Sequence, residues 1–109
     1  MATFFRNVVA KDIGTTAREV IETSDNARVT IIGMSLANTT EFVVLADVAL
    51  QNDTSTEAYF LKGLIIPPNS TARVVNGGEK LILTQSNVLK IRANVEDAID
   101  AVISFVEIV

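Results

Sequence analysis

A chain of 109 residues, 49% of them apolar, has room for one domain and material for a core, and no run is long and apolar enough to span a bilayer. A net charge of −4 argues against nucleic acid as a partner, because phosphate binding needs clustered Lys and Arg. The absence of cysteine and histidine excludes disulfide staples, thiolate metal sites and any Ser–His–Asp or Cys–His catalytic arrangement.

The opening MATFFRNVVAKD has no basic region leading into a sustained apolar core, so it does not read as a secretory signal. A cysteine-free chain also fits synthesis in a reducing cytoplasm. Residues 3–9 read as a first short strand ended by Lys11, Asp12 and Gly14, and Arg18 to Ile21 as a second, closed by a Ser-Asp-Asn turn at 24–26. A helical reading of 15–22 is too short to compete. From Arg28 to Gln51 come two β-branched apolar runs hinged at Asn38-Thr39-Thr40, which predict a central hairpin. Along the first run Thr30, Ile32, Met34 and Leu36 share one face, and Val29, Ile31, Gly33 and Ala37 are assigned to the other. Both faces are largely apolar, so the strands are expected to be covered twice, once by a second sheet and once by a neighbouring molecule. Asp47 falls on the face of Val43, Leu45 and Ala49 and is expected to face solvent or to pair across a subunit contact.

Polar residues 52–56 turn the chain into the run 58–66, which Pro67-Pro68 stops because proline gives no N–H to a ladder. A short strand 71–75 precedes Asn76-Gly77-Gly78, the strongest hairpin signal in the chain, and 81–84 is expected to pair next. After a turn at 85–87, the run 88–93 turns Leu89 and Ile91 inward and Lys90 and Arg92 to solvent. Residues 94–98 could hold one helical turn capped by Asn94, and Ile99 to Val109 form the last strand. Eight to nine short strands, with turns about ten residues apart, predict a single all-β domain over residues 1–109, an antiparallel β-sandwich of immunoglobulin-like or jelly-roll outline. Its inner layer should include Val29, Ile31, Val44, Leu61, Leu83, Leu89, Ile91, Ile103 and Phe105.

Chemistry-bearing patterns are thin. None of Lys11, Lys62, Lys80 and Lys90 sits beside a serine in a recognisable motif, and Gly77-Gly78 lacks the Lys-Ser/Thr and the helix of a phosphate loop. Glu96, Asp97 and Asp100 are the one dense acidic cluster, without the glycine and alternating ligands of a calcium loop. With no Trp, Tyr59 is the lone candidate for a sugar-stacking platform. No catalytic, cofactor-binding or metal-binding residue is assigned. Surplus apolar surface points instead to self-association, with Phe4, Phe5, Ile32, Met34, Leu36, Tyr59, Phe60, Val106 and Ile108 as the candidate interface. A ring or trimer built by sheet contact or edge pairing is expected.

Five segments carry a resemblance: LANTT at 36–40, IIPPNSTARVV at 65–75, GGEKLIL at 77–83, VLKIRAN at 88–94 and DAVISFVEIV at 100–109. Together they resemble small β-sandwich virion proteins of tailed bacteriophages, of the head decoration (cement), collar or tail-accessory type. Similar sequences often carry an acidic, glycine-bearing turn where this chain has Gln85-Ser86-Asn87. The resemblance implies a non-enzymatic structural protein, made in the host bacterial cytoplasm and placed on the virion. Its partners would be its own copies and the major capsid or neck protein, with no membrane and no nucleic acid. The alternatives are a neck, collar or tail-accessory protein, and a carbohydrate- or receptor-binding module.

Overall fold

The computed structural model describes residues 2–75 and 80–109, so the Asn76-Gly77-Gly78 turn lies outside the described residues. Nine strands follow one another: β1 (Thr3–Ile13), β2 (Arg18–Glu22), β3 (Arg28–Asn38), β4 (Val44–Gln51), β5 (Glu57–Ile66), β6 (Thr71–Val75), β7 (Leu81–Leu83), β8 (Val88–Ala93) and β9 (Ile99–Ile108). They form two antiparallel sheets. The first runs β1-β9-β3-β6, with β7 also on β3, and the second runs β2-β8-β4-β5. The pairs are nested: β4 with β5, β3 with β6 and β7, β2 with β8, β1 with β9, while β3–β9 and β4–β8 complete the sheets. That nesting is a long ribbon rolled on itself, the jelly-roll form of the sandwich.

The expected hairpin over 28–51 does not exist, because β3 and β4 lie in different sheets. Asn38 makes the corner. Its buried side-chain amide donates to the carbonyls of Phe42 (2.7 Å), Ile66 (3.1 Å) and Pro67 (3.1 Å). Its Oδ1 accepts from the Thr40 N–H (2.9 Å) and hydroxyl (2.7 Å), the Asn habit of bonding a backbone two residues on. The chain is thereby tied to the end of β5 and crosses between sheets. The hairpin within a sheet is β4–β5, where Asn52 Oδ1 accepts from the Thr54 and Thr56 N–H groups, each at 3.0 Å. Likewise β6 and β7 do not pair with each other but sit end to end along β3.

A register shift in β3 corrects the two-sided reading of that strand. Ile31 opposes Phe105 and Gly33 opposes Ser104, so Ile32 is an extra residue and the inward parity changes there. Val29 and Ile31 point inward before the bulge, Met34, Leu36 and Asn38 after it. The apolar residues that filled both faces of an ideal strand therefore mostly fill one face of a bulged strand.

All of the expected inner layer is buried except Leu61, which is half-buried on edge strand β5. Ile13, Leu36, Ile66 and Ile99 complete the core, each such side chain contributing about 1.5–3 kcal/mol by burial. Residues 94–97 form a non-helical turn with Asp97 at φ 52°, and Asn94 exchanges backbone and side-chain bonds with Leu45 in place of capping a helix.

Candidate interaction surface

The outer faces of the two sheets differ in kind. On the first sheet, antiparallel register places side chains from successive strands in rows. One row reads Phe5, Val106, Thr30, Ile82 across β1, β9, β3 and β7. The next reads Asn7, Ser104, Gly33, and the third Val9, Val102, Ser35, Arg73. Arg28 stands beside Ile108 at one margin. Phe5 is 81% and Val9 70% exposed, and Ile82 and Val102 are exposed as well. Charge in these rows is confined to the margins, at Arg28 and Arg73. Between the apolar rows lies a depression of about 300 Å³ bounded by Gly33, Ser35, Arg73, Val102 and Ser104. A β-carbon at Gly33 would come only within 4.0 Å of Ser104, so the missing side chain leaves a dip in the face.

On the outer face of the second sheet the centre is occupied by paired charges, while Leu45 and Ile65 at one end are exposed and apolar. Asp47 on β4 is nearly buried and stands opposite a bulge in β5, where Gly63 takes φ +65°. Its carboxylate accepts from the Gly63 N–H (2.8 Å), from Lys62 Nζ (3.2 Å) and from an Arg92 Nη (3.1 Å). Burial acts to raise its pKa, but the Gly63 N–H, Lys62 and Arg92 outweigh that and hold the carboxyl below its ordinary range. Lys62 Nζ also sits 4.5 Å from the centre of the Tyr59 ring, a cation–π contact. Lys90 donates to Gln51 Oε1 (2.8 Å) and Glu57 Oε2 (2.9 Å), and the bond to Glu57 raises its pKa. Asp47 thus pairs within its own chain and does not face solvent.

The residues expected to form one interface fall in four places. Phe5, Ile32, Val106 and Ile108 lie on the outer face of the first sheet, and Phe4 lies on the opposite side of β1, 4.8 Å beneath the Arg6 guanidinium. Tyr59 belongs to the second sheet's outer face, and Phe60 is half-buried against the core. Met34 and Leu36 are corrections: at 2% and 0% exposure they are core side chains, turned inward by the bulge at Ile32. Val9, Ile82 and Val102 belong to the apolar face and were not singled out in the sequence. Alternation continued from Phe5 would have reached Val9, but nothing local shows which strands flank β1. A second exposed apolar group, Phe42, Val43, Leu45 and Ile65, lies by the β3–β4 crossover, where Leu45 and Ile65 are register partners.

The acidic cluster is dispersed into separate structural contacts. Glu96 accepts from the Thr15 N–H (3.1 Å) and its hydroxyl, which lower its pKa, and Asp100 accepts from the Asp12 N–H (3.0 Å). Among the described residues, no group of three acidic side chains is placed to hold a metal ion. No helix among them is long and apolar enough to cross a membrane. No protein-family model matches the chain, and no curated protein matches it significantly.

Proposed function

We propose that this chain is a structural protein of a bacteriophage particle, a decoration or cement protein that docks on the outside of the assembled head. The observation that carries this reading is the contrast between the faces. One offers exposed apolar rows with charge at the margins, and the other has paired charges across its centre, with exposed apolar Leu45 and Ile65 at its crossover end. The resemblance of the five segments to phage virion proteins supports a phage particle as its place. The jelly roll is a form common in viral shells, though a fold by itself does not assign a role. A protein that binds the assembled shell and not its dissociated subunits stabilises the shell by mass action. The net acidity fits an outward position, since a lumenal protein would lie against packaged nucleic acid.

The test compares heat-induced genome release from particles with and without the protein, and locates labelled protein on the particle. Release at lower temperature without the protein, with label spread over the head, is the expected result. Unchanged release with label confined to the neck or tail would replace the cement reading with the collar or tail-accessory one.

A further inference from the structure

We infer that β1 is a dimerisation edge: two copies of the chain pair β1 against β1, antiparallel, about a two-fold axis at Asn7, joining their first sheets into one. This contact does not depend on the phage reading.

Strand β1 ends its sheet, so among the described residues one side of it lacks a β neighbour. Ala2 and Val109 exchange both backbone bonds, at 2.9 Å each, so the even-numbered residues of β1 spend their N–H and C=O groups on β9. Thr3, Phe5, Asn7, Val9 and Lys11 then aim theirs at the open edge. The Lys11 carbonyl accepts from Arg18 (3.3 Å), which leaves Thr3 through Val9 as the open stretch.

The other edges carry features that discourage pairing. Strand β2 is short, charged and bulged, β5 is bulged at Gly63 and stopped by Pro67-Pro68, β6 is short with Arg73 at its centre, and β7 has only three residues. Strand β1 runs in unbroken register from Thr3 to Ala10, with only Arg6 charged in that span.

The open groups also select a register. Antiparallel pairing must set odd residues opposite odd residues, which leaves axes at Arg6, Asn7 or Val8 as the central choices. An axis at Arg6 sets two arginines directly opposite each other, an unfavourable like-charge pair. An axis at Val8 sets Phe5 against Lys11. An axis at Asn7 sets Phe5 against Val9 of the second copy twice over, Arg6 against Val8, and Asn7 against itself. No like charges then meet, and the exposed Phe5 and Val9 are joined in aromatic–aliphatic pairs on the outer face. This contact is isologous and closes at two copies, so a ring or trimer would need another surface. A strand edge of this length falls below the roughly 1,000 Å² of a stable interface, so the dimer is a weak, concentration-dependent one.

Because the chain has no cysteine, a single introduced thiol reads the register. A hydrogen-bonded antiparallel pair spaces Cα atoms by about 5.5 Å, within disulfide reach. Under mild oxidation Asn7→Cys should give a covalent dimer, while Arg6→Cys and Val8→Cys stay mainly monomeric. Asn7→Pro removes an N–H that faces the open edge and leaves the β9 ladder intact, so sedimentation should show dissociation raised about tenfold or more. Should that variant misfold, hydrogen exchange on the native chain decides, with the Phe5, Asn7 and Val9 amides slowing as concentration rises. A native chain that stays monomeric into the millimolar range, equal cross-linking at all three positions, or exchange at those amides independent of concentration would each overturn the dimer.

Discussion

The outer faces of the two sheets come from the same alternation of strand residues, yet one has a centre of paired charges and the other a centre of apolar rows. On the second sheet Asp47, Glu57, Lys62, Lys90 and Arg92 have partners within the chain, and Lys62 lies over the half-exposed Tyr59 ring. On the first, Phe5 and Val9 of β1, Val102 and Val106 of β9 and Ile82 of β7 face outward, and Asn7, Ser104 and Gly33 between them are uncharged. Residues of the first kind stabilise the fold, and residues of the second kind contribute little to it and are available for contact. Substitutions should separate the two.

The largest effect is expected at Asp47. Asp47→Ala leaves the Gly63 N–H without its acceptor and two cations without their anion. Lys62 and Arg92 are half exposed and rehydrate, so the loss should be about 2–3 kcal/mol in denaturant unfolding, below that of a fully buried pair. The same contacts predict acid sensitivity. The folded pKa of Asp47 is lowered from 3.8, so its contribution is complete above that value and drains away as pH falls through the lower folded value. Asp47→Asn should therefore flatten the stability curve below about pH 4 relative to the native chain.

A smaller difference is expected between two bulge glycines. Gly63 has φ +65°, where a β-carbon is strained, so Gly63→Ala should cost about 1–2 kcal/mol. Gly33 lies outside that region of φ and has open space above it, so Gly33→Ala should stay within about 0.5 kcal/mol while filling the dip in the apolar face. The smallest stability effect belongs to Phe5→Ser, also within about 0.5 kcal/mol in thermal unfolding, because that side chain is mostly in water already. Equal losses at Asp47 and Phe5 would erase the distinction between the faces.

How much of this was legible in the residues depended on range. The strands and the core were, because alternation such as Leu89–Ile91 against Lys90–Arg92 is a local signal. Pairing was not: Thr3 lies opposite Ile108 and Arg28 opposite Ile108, and nothing near either end of the chain names its partner. Two consecutive apolar strands read as a hairpin until a single side chain, Asn38, is seen to hold the crossover. Met34 and Leu36 were placed outside because parity was carried unbroken through Ile32. Gly33 in an apolar strand was the available sign of a bulge, as was Gly63 in β5. Asp47 could be flagged as a carboxylate in an apolar run, but Lys62 and Arg92 became its partners only through sheet register.

The most direct test of the two-face distinction, under the proposed decoration role, is cosedimentation with phage heads lacking the protein, using two triple variants. Phe5, Val9 and Val102 are changed to serine in one, and in the other Glu57, Tyr59 and Glu19, which lies opposite Lys90 on the second sheet. The first should lose binding while its melting temperature stays near that of the native chain, and the second should bind as the native chain does. Binding kept by the first variant and lost by the second would contradict the assignment of the apolar sheet face as the docking surface.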